Sequence, residues 1–200
     1  MALTLRAGFA DADREEVAAL YWQAFGEKLG PVLRPDAKAK GFILSVMRPD
    51  HALSAYDPNG QLLGVVGFKS PQGAFVGGSF EDLARIYGGP GAVWRTVLLA
   101  LLERDVENQR FLMDGLFVRA EARGQGVGSA LLAAICREAG QRGYREVRLD
   151  VIDSNTRARA LYERHGFRAI KTAQMGPLSH VFGFASATTM VRAADAAHRL

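Results

Sequence analysis

The stretch 114–132, Asp-Gly-Leu-Phe-Val-Arg-Ala-Glu-Ala-Arg-Gly-Gln-Gly-Val-Gly-Ser-Ala-Leu-Leu, constrains this chain more than any other. Leu116, Phe117 and Val118 read as a strand, Gly124, Gly126 and Gly128 as a tight turn, and the run from Ala130 to Ala134 as a helix. Alternate glycines ahead of a helix remove the side chains that would keep a ligand off the backbone. The unpaired N–H groups of the first helical turn, at the positive end of the helix dipole, are then open to an anion. A phosphate or pyrophosphate is the expected guest.

Spacing narrows the chemistry. A dinucleotide fingerprint Gly-x-Gly-x-x-Gly would need glycine, or alanine in its last place, where Ser129 or Leu131 stands, and both fail; the Gly-Lys-Ser/Thr of a P-loop is absent. What stands is Arg123-x-x-Gly126-x-Gly128 between a strand and an amphipathic helix. A second stretch begins at Asn155: Asn-Thr-Arg-Ala-Arg-Ala-Leu-Tyr-Glu-Arg-His-Gly-Phe. Asn155 and Tyr162 lie two helical turns apart and so share a face, while Ala158 and Leu161 form a neighbouring stripe that packs inward.

These two stretches resemble the signatures of the GNAT superfamily of acyl-coenzyme A dependent N-acetyltransferases: Gln/Arg-x-x-Gly-x-Gly/Ala for the pyrophosphate, and Asn-x-x-Ala-x-x-Leu-Tyr-x-x-x-Gly-Phe. The resemblance is detailed from Asp114 onward; before that it extends only to the pattern of elements. It implies an α/β (α+β) fold with a central mixed, mostly antiparallel sheet of six to seven strands flanked by helices and splayed between strands 4 and 5. It also implies acetyl-coenzyme A as co-substrate, with no metal, and an amine-bearing acceptor, small molecule or protein.

Two hundred residues, 48% of them hydrophobic, suit one globular domain over 1–200 with a sizeable core. No apolar run reaches the ~18 residues of a membrane span, and the N-terminus lacks a signal-peptide pattern, so a cytoplasmic protein without a membrane partner is expected. The single cysteine, Cys136, falls at an apolar helical position and reads as a core residue. The net charge of +4 permits nucleic-acid binding, but no reading helix accompanies it, and attraction to an anionic cofactor accounts for the basic C-terminal half.

In chain order, Leu3 to Ala7 reads as a strand, and Asp11 to Phe25 as a helix capped by Asp11 or Asp13 with Val17, Leu20, Tyr21 and Ala24 as its stripe. Gly26 to Pro31 is expected to break that helix, leaving Glu27 in a loop. A second helix runs from Pro35 or Asp36 to Met47, and Ala52 to Tyr56 and Leu62 to Phe68 form a hairpin about Asp57-Pro-Asn-Gly60. The segment 70–110 is a helical insertion between strands 3 and 4, with Val93, Trp94, Val97, Leu98, Leu101 and Leu102 on one helix face. It walls the acceptor pocket, makes a homodimer contact, or simply packs. Phe111 to Val118, Glu146 to Ile152, Phe167 to Thr172 and Val181 to Val191 complete the strands, followed by an Ala-rich tail.

An amine attacks a thioester only when neutral, and a lysine-like amine has pKa ~10.4, so a proton must be removed directly or through water. Attack makes an oxyanion and collapse expels a thiolate. The resemblance assigns the backbone of Leu116, Phe117 and Val118 to the pantetheine arm and acyl carbonyl. It gives the pyrophosphate to Arg123 and the amides of Gly124, Gln125, Gly126, Val127, Gly128 and Ser129. Asn155 contacts the pantetheine or caps its helix; Tyr162 is the general acid or a packed core tyrosine. Asp114 and Glu27 are the candidate bases, and a water-relayed path needs neither. His165 is expected at a solvent-facing helix end, and no His, Cys or carboxylate cluster has metal-ligand spacing. Against the acetyltransferase stands a second reading, a catalytically inactive coenzyme A-binding sensor or interaction module.

Overall fold

A computed structural model describes residues 2–102 and 110–195, leaving aside the side chains of Leu101 and Leu102. In order the elements are β1 (Thr4–Ala7), α1 (Arg14–Leu33), α2 (Asp36–Val46), β2 (Ala52–Tyr56), β3 (Leu62–Ser70) and β4 (Gly73–Ala74). There follow α3 (Phe80–Tyr87), α4 (Gly89–Leu102), β5 (Phe111–Val118), α5 (Val127–Gln141) and β6 (Glu146–Ile152). The chain closes with α6 (Thr156–Arg164), β7 (Arg168–Gln174), α7 (Ser179–Phe182) and β8 (Ser186–Ala193). One sheet runs β1-β2-β3-β5-β6-β8-β7, with β4 paired to β3.

Among the described residues every pairing is antiparallel except β5 with β6, which gives the mixed, mostly antiparallel sheet expected. The two-residue β4 adds an eighth strand to the seven read from the sequence, so the expected strands 4 and 5 are β5 and β6. The parallel pair meets at Phe111↔Val147 and Leu112↔Arg148. Beyond that, the ladder of β5 out to Val118 is with β3 on its other edge.

Each face of the sheet has its own core. On one, α5 buries Val127, Leu131, Leu132, Ile135 and Cys136 against Val66, Phe68, Phe111 and Leu149. The Cys136 thiol is pushed up to about 11 by burial, as an inert core residue should be. On the other face, α1 and α2 close over Tyr56, Val65, Phe75 and Phe117, with Phe182 and Phe184 completing the layer.

Several expectations are corrected here. α1 does not break at Gly26 but continues through Gly30 and Pro31 to Leu33. A proline inside a helix costs about 3 kcal/mol, whereas burying Val32 and Leu33 gains about 1.5–3 kcal/mol for each side chain, and both are buried. Tertiary packing therefore outweighs the local signal. The buried stripe of α1 is Val17, Ala18, Tyr21 and Trp22, and Ala24 points to solvent. Asp13 sits at the N-cap position but makes no cap; its Oδ2 accepts the Tyr56 hydroxyl at 2.7 Å.

Val181 and Phe182 are helical, not part of a strand. Gly183 then turns the chain at φ +72, so that Phe182 and Phe184 both enter the α1-side core before β8 begins at Ser186. The expected apolar stripe of α4 is divided, with its Leu98 turned inward and its first three members turned outward. Ala92, Leu98 and Leu99 pack inward, while Val93, Trp94 and Val97 are 57%, 41% and 58% exposed. Leu101 and Leu102 lie outside the described side chains.

One glycine tests how closely the sheet and the α1 layer are fitted. A Cβ at Gly67 would lie 2.6–2.7 Å from the ring and Cβ of Phe75, a side chain with no exposed surface. Gly67→Ala is expected to lower unfolding stability by about 1–3 kcal/mol. Urea titration checks this.

Candidate active site

The ladder of β5 with β3 runs from Gly64↔Val118 to Gly67↔Gly115 and resumes at Phe68↔Met113, which makes Asp114 the extra residue of a β-bulge. A bulge re-aims the side chains around it. Phe111 and Met113 point into the α5-side core, while Phe117 points into the α1 side. Gly115 lies so close under α1 that its Cβ would stand 2.6 Å from the Phe25 ring. Tyr21 makes an edge contact with Phe117, ring centroids 5.9 Å apart, and packs on Phe25 at 4.7 Å. Burial, and secondarily the charge of Asp114, push the Tyr21 phenol far above its ordinary value, so the bulge carboxylate lies within electrostatic reach of Tyr21.

After Val118 the chain is held at both ends of its turn. The Arg119 amide donates to Leu63 O at 2.9 Å, and its guanidinium lies 3.1 Å from Glu16 of α1. Arg123 Nε donates to Val118 O at 3.2 Å, and Gln125 Nε2 donates to Glu121 O at 2.7 Å. Gly124 and Gly126 adopt φ of +80 and +85, the left-handed region that glycine enters without strain. Gly126 is the N-cap of α5, and no atom lies within 4 Å of where its Cβ would stand. The first backbone bond of α5, Ala130 N to Gly126 O at 2.9 Å, leaves the amides of Val127, Gly128 and Ser129 directed out of the helix end.

Gly128 is where three elements meet. Its Cβ would be 3.2 Å from Leu161 of α6 and 3.8 Å from Leu116 of β5. The residues quoted from the two sequence signatures are thereby brought to one corner of the sheet. Asn155 caps α6, its Oδ1 accepting from Ala158 N at 3.1 Å. Tyr162 is buried on the α5 side, its ring 6.0 Å from Phe167, and burial pushes its phenol up to about 12.

Glu27 and His165 depart from the surroundings the sequence suggests. Glu27 lies within α1 rather than in a loop, exposed to solvent, because the helix runs past it. His165 stands at the helix end as expected but is half-buried there; its Nε2 lies 2.8 Å from Ser129 Oγ and ties the end of α6 to the first turn of α5. Sequence reading also missed Tyr21 as the neighbour of Asp114, since no pattern joins a helix residue to a strand bulge so far along the chain. The bulge itself has a faint signal in the Asp114-Gly115 pair inside an otherwise apolar strand.

A second polar cluster lies at the far end of β3. Buried His51 places Nδ1 3.0 Å from Asp50 Oδ1 and Nε2 2.9 Å from Ser70 Oγ. Arg48, bonded to Asp50 at 2.6 Å, holds that carboxyl well below its usual range, with His51 helping. The Ser70 hydroxyl is engaged by the Gln72 side chain at 2.9 Å and the Gln72 amide at 3.2 Å. Its hydrogen-bonding capacity is spent inside the β3–β4 turn, so this Asp-His-Ser arrangement pins a turn and presents no nucleophile. Among the described residues no group of three or more His, Cys, Asp or Glu could hold a metal ion, and no helix is long and apolar enough to cross a membrane.

The profile of the Acetyltransferase (GNAT) family matches residues 14–167. Among solved structures, the chain is similar to SsHAT at 21% identity, covering 98% of this chain and 100% of that one, with a TM-score of 0.66. It is similar to the ribosomal-protein-S18-alanine N-acetyltransferase from Escherichia coli at 18% identity, covering 100% and 99%, with a TM-score of 0.55. A mutant agmatine N-acetyltransferase in its apo form gives 20% identity, 96% and 100% coverage and a TM-score of 0.59. At such identities these likenesses speak for the fold. No curated protein matches the sequence.

Proposed function

The chain belongs to the acetyltransferase (GNAT) family, and from that premise we propose that it is a single-domain enzyme that moves an acetyl group from acetyl-coenzyme A to an amine. Transfer is by direct attack with both substrates bound. The observation that most supports this reading is the convergence at Gly128, where the end of β5, the glycine N-cap of α5 and the Tyr162 helix come within van der Waals reach. A pyrophosphate fits there: Gly124 and Gly126 offer backbone with open space where side chains would stand, and Arg123 lies at the loop.

Each residue then has a task. The amides from Gly124 to Ser129 hold the pyrophosphate, and the edge of β5 that faces β6 at Leu116, Phe117 and Val118 binds the pantetheine arm and the acyl carbonyl. The Val118 carbonyl accepts from Arg123, so the arm is offered the remaining β5 groups that do not pair with β3. Asn155 offers its Nδ2 to the arm while Oδ1 caps α6. Tyr162, kept protonated by burial, donates to the sulfur as it departs. Asp114, within electrostatic reach of Tyr21, takes the amine proton directly or through water; Glu27, exposed on α1, is the weaker candidate for that role.

Acceptor chemistry stays at the level of an amine, on a small molecule or a protein, because one scaffold serves many acceptors. Calorimetry with acetyl-coenzyme A followed by thiol release on addition of amine pools tests the reading. Binding near the micromolar range, about −8 kcal/mol, with amine-dependent thiol release is the expected result. Binding without release from any amine would leave a coenzyme A-binding module instead, and no binding would remove the site altogether.

A further inference from the structure

His165 lies outside every role assigned above, yet it makes a side-chain bond between the two helices of the site. Its backbone is held at the end of α6, the amide donating to Leu161 O at 3.2 Å and Tyr162 O at 3.0 Å. From there Nε2 reaches Ser129 Oγ at 2.8 Å. Ser129 is the third residue of α5, and helical side chains lean back toward the N-terminus, so its hydroxyl sits beside the helix end that the glycines leave open.

A hydroxyl has one proton to give. If His165 Nε2 accepts that proton, Ser129 turns only lone pairs toward the helix end, and these repel an anion. If Nε2 carries a hydrogen and donates to Ser129 Oγ, the hydroxyl proton is released to point at a phosphate oxygen. Both ring forms satisfy the 2.8 Å contact, and only the second favours an anion. We propose that His165 is a positioning residue that, by donating through Nε2, turns the Ser129 hydroxyl into a hydrogen-bond donor to the pyrophosphate of the acyl carrier. This rests on the reading of the α5 N-terminus as the coenzyme A site. It adds that the anion is gripped by a side-chain relay from α6 as well as by backbone amides, which couples carrier binding to the helix that bears Tyr162.

The test compares three carriers in calorimetry and steady-state assays: acetyl-coenzyme A, its 3′-dephospho form, which keeps the pyrophosphate, and S-acetylpantetheine, which has no phosphate. His165→Leu should weaken binding of the first two roughly tenfold, the loss of one hydrogen bond to a charged group, with the effect in KM rather than kcat. His165→Gln, whose amide can still donate, should recover most of it. For S-acetylpantetheine, kcat/KM should move less than about twofold, because the relay reaches only the phosphates. Ser129→Ala should show the same carrier selectivity, and adding His165→Leu to it should cost nothing more. Should His165→Leu not fold, Ser129→Ala and His165→Gln still give the comparison. Wild-type affinity in His165→Leu overturns the proposal, as does an equal loss with S-acetylpantetheine, which would mean that α6 had merely shifted. If the wild type binds acetyl-coenzyme A and the variants fail in these ways, the transferase reading survives and the relay alone falls.

Discussion

Tyr162→Phe is expected to lower kcat for acetyl transfer by about 10²-fold, the lower end of what a general acid contributes, while acetyl-coenzyme A affinity stays within a small factor of wild type. The size follows from burial. With its phenol pushed up to about 12, Tyr162 is a weaker acid than a thiol of pKa about 8.5. Its benefit is a hydrogen bond that strengthens as charge grows on the sulfur, and less a completed proton transfer. The sign of the pH dependence also follows. The acid form persists up to about 12, so the pH profile of kcat should show no descending limb from Tyr162 between about pH 7 and 10, where an ordinary tyrosine would begin to ionise. A descending limb in that range that disappears in Tyr162→Phe would contradict the buried-acid assignment. An unchanged kcat would return Tyr162 to the rank of a packing residue.

The same raised value bears on stability. An unfolded tyrosine ionises near pH 10, whereas folded Tyr162 holds its proton to about 12. Below pH 10 both states are neutral and the group contributes no pH dependence. Between about pH 10 and 12 the unfolded state alone loses its proton, so the fold is progressively destabilised as pH rises. Tyr21, raised further still by burial and by Asp114, acts in the same direction.

How much of this was legible before the structure depends on the range over which each signal acts. Gly124, Gly126 and Gly128 and the run from Asn155 to Phe167 are local patterns in which backbone conformation and helix phase are written in consecutive residues. Strands β5 and β6 fall where apolar alternation put them. What sequence reading could not reach are the places where distant surfaces decide. Pro31 reads as a helix breaker until Val32 and Leu33 are seen buried against the sheet. Val181 and Phe182 read as strand because an apolar run carries no record of its period once both Phe182 and Phe184 are claimed by one core. The apolar stripe of α4 has helical spacing throughout, and only the packing shows that it divides, Leu98 turning inward with Ala92 and Leu99 while Val93 and Val97 point outward.

The functional corner divides along the same line. The sequence supplied the loop, Asn155 and Tyr162, since these belong to contiguous motifs. The bulge that sets Asp114 apart arises from the register of β5 on β3, a property of two strands together. The contact of His165 with Ser129 spans two helices and depends on Gly128 letting α6 approach α5. Placements fixed within one element were legible in the sequence, and contacts made between elements were not.

Gly126→Glu is expected to abolish measurable acetyl-coenzyme A binding in a chain that still folds. Gly126 adopts φ +85, and a side chain there costs about 1–2 kcal/mol of backbone strain. No steric term adds to it, because nothing lies within 4 Å of the Cβ position. A carboxylate at the positive end of α5 recovers about 0.3–1 kcal/mol through the helix dipole. The net loss of stability is therefore about 1 kcal/mol, within what a domain of this size tolerates. The effect on the ligand is far larger. A carboxylate about 4 Å from one phosphate charge repels it by about 4 kcal/mol at an effective dielectric of 20, and it also occupies the amides that the phosphate needs. Affinity should fall by well over a hundredfold. Gly126→Ala separates the two effects, since it has the strain without the charge and should bind only a few times more weakly. Calorimetry with both variants, beside thermal melts that show them folded, decides the matter. If Gly126→Glu binds acetyl-coenzyme A as the wild type does, the pyrophosphate lies elsewhere, and the glycine loop serves only to turn β5 into α5.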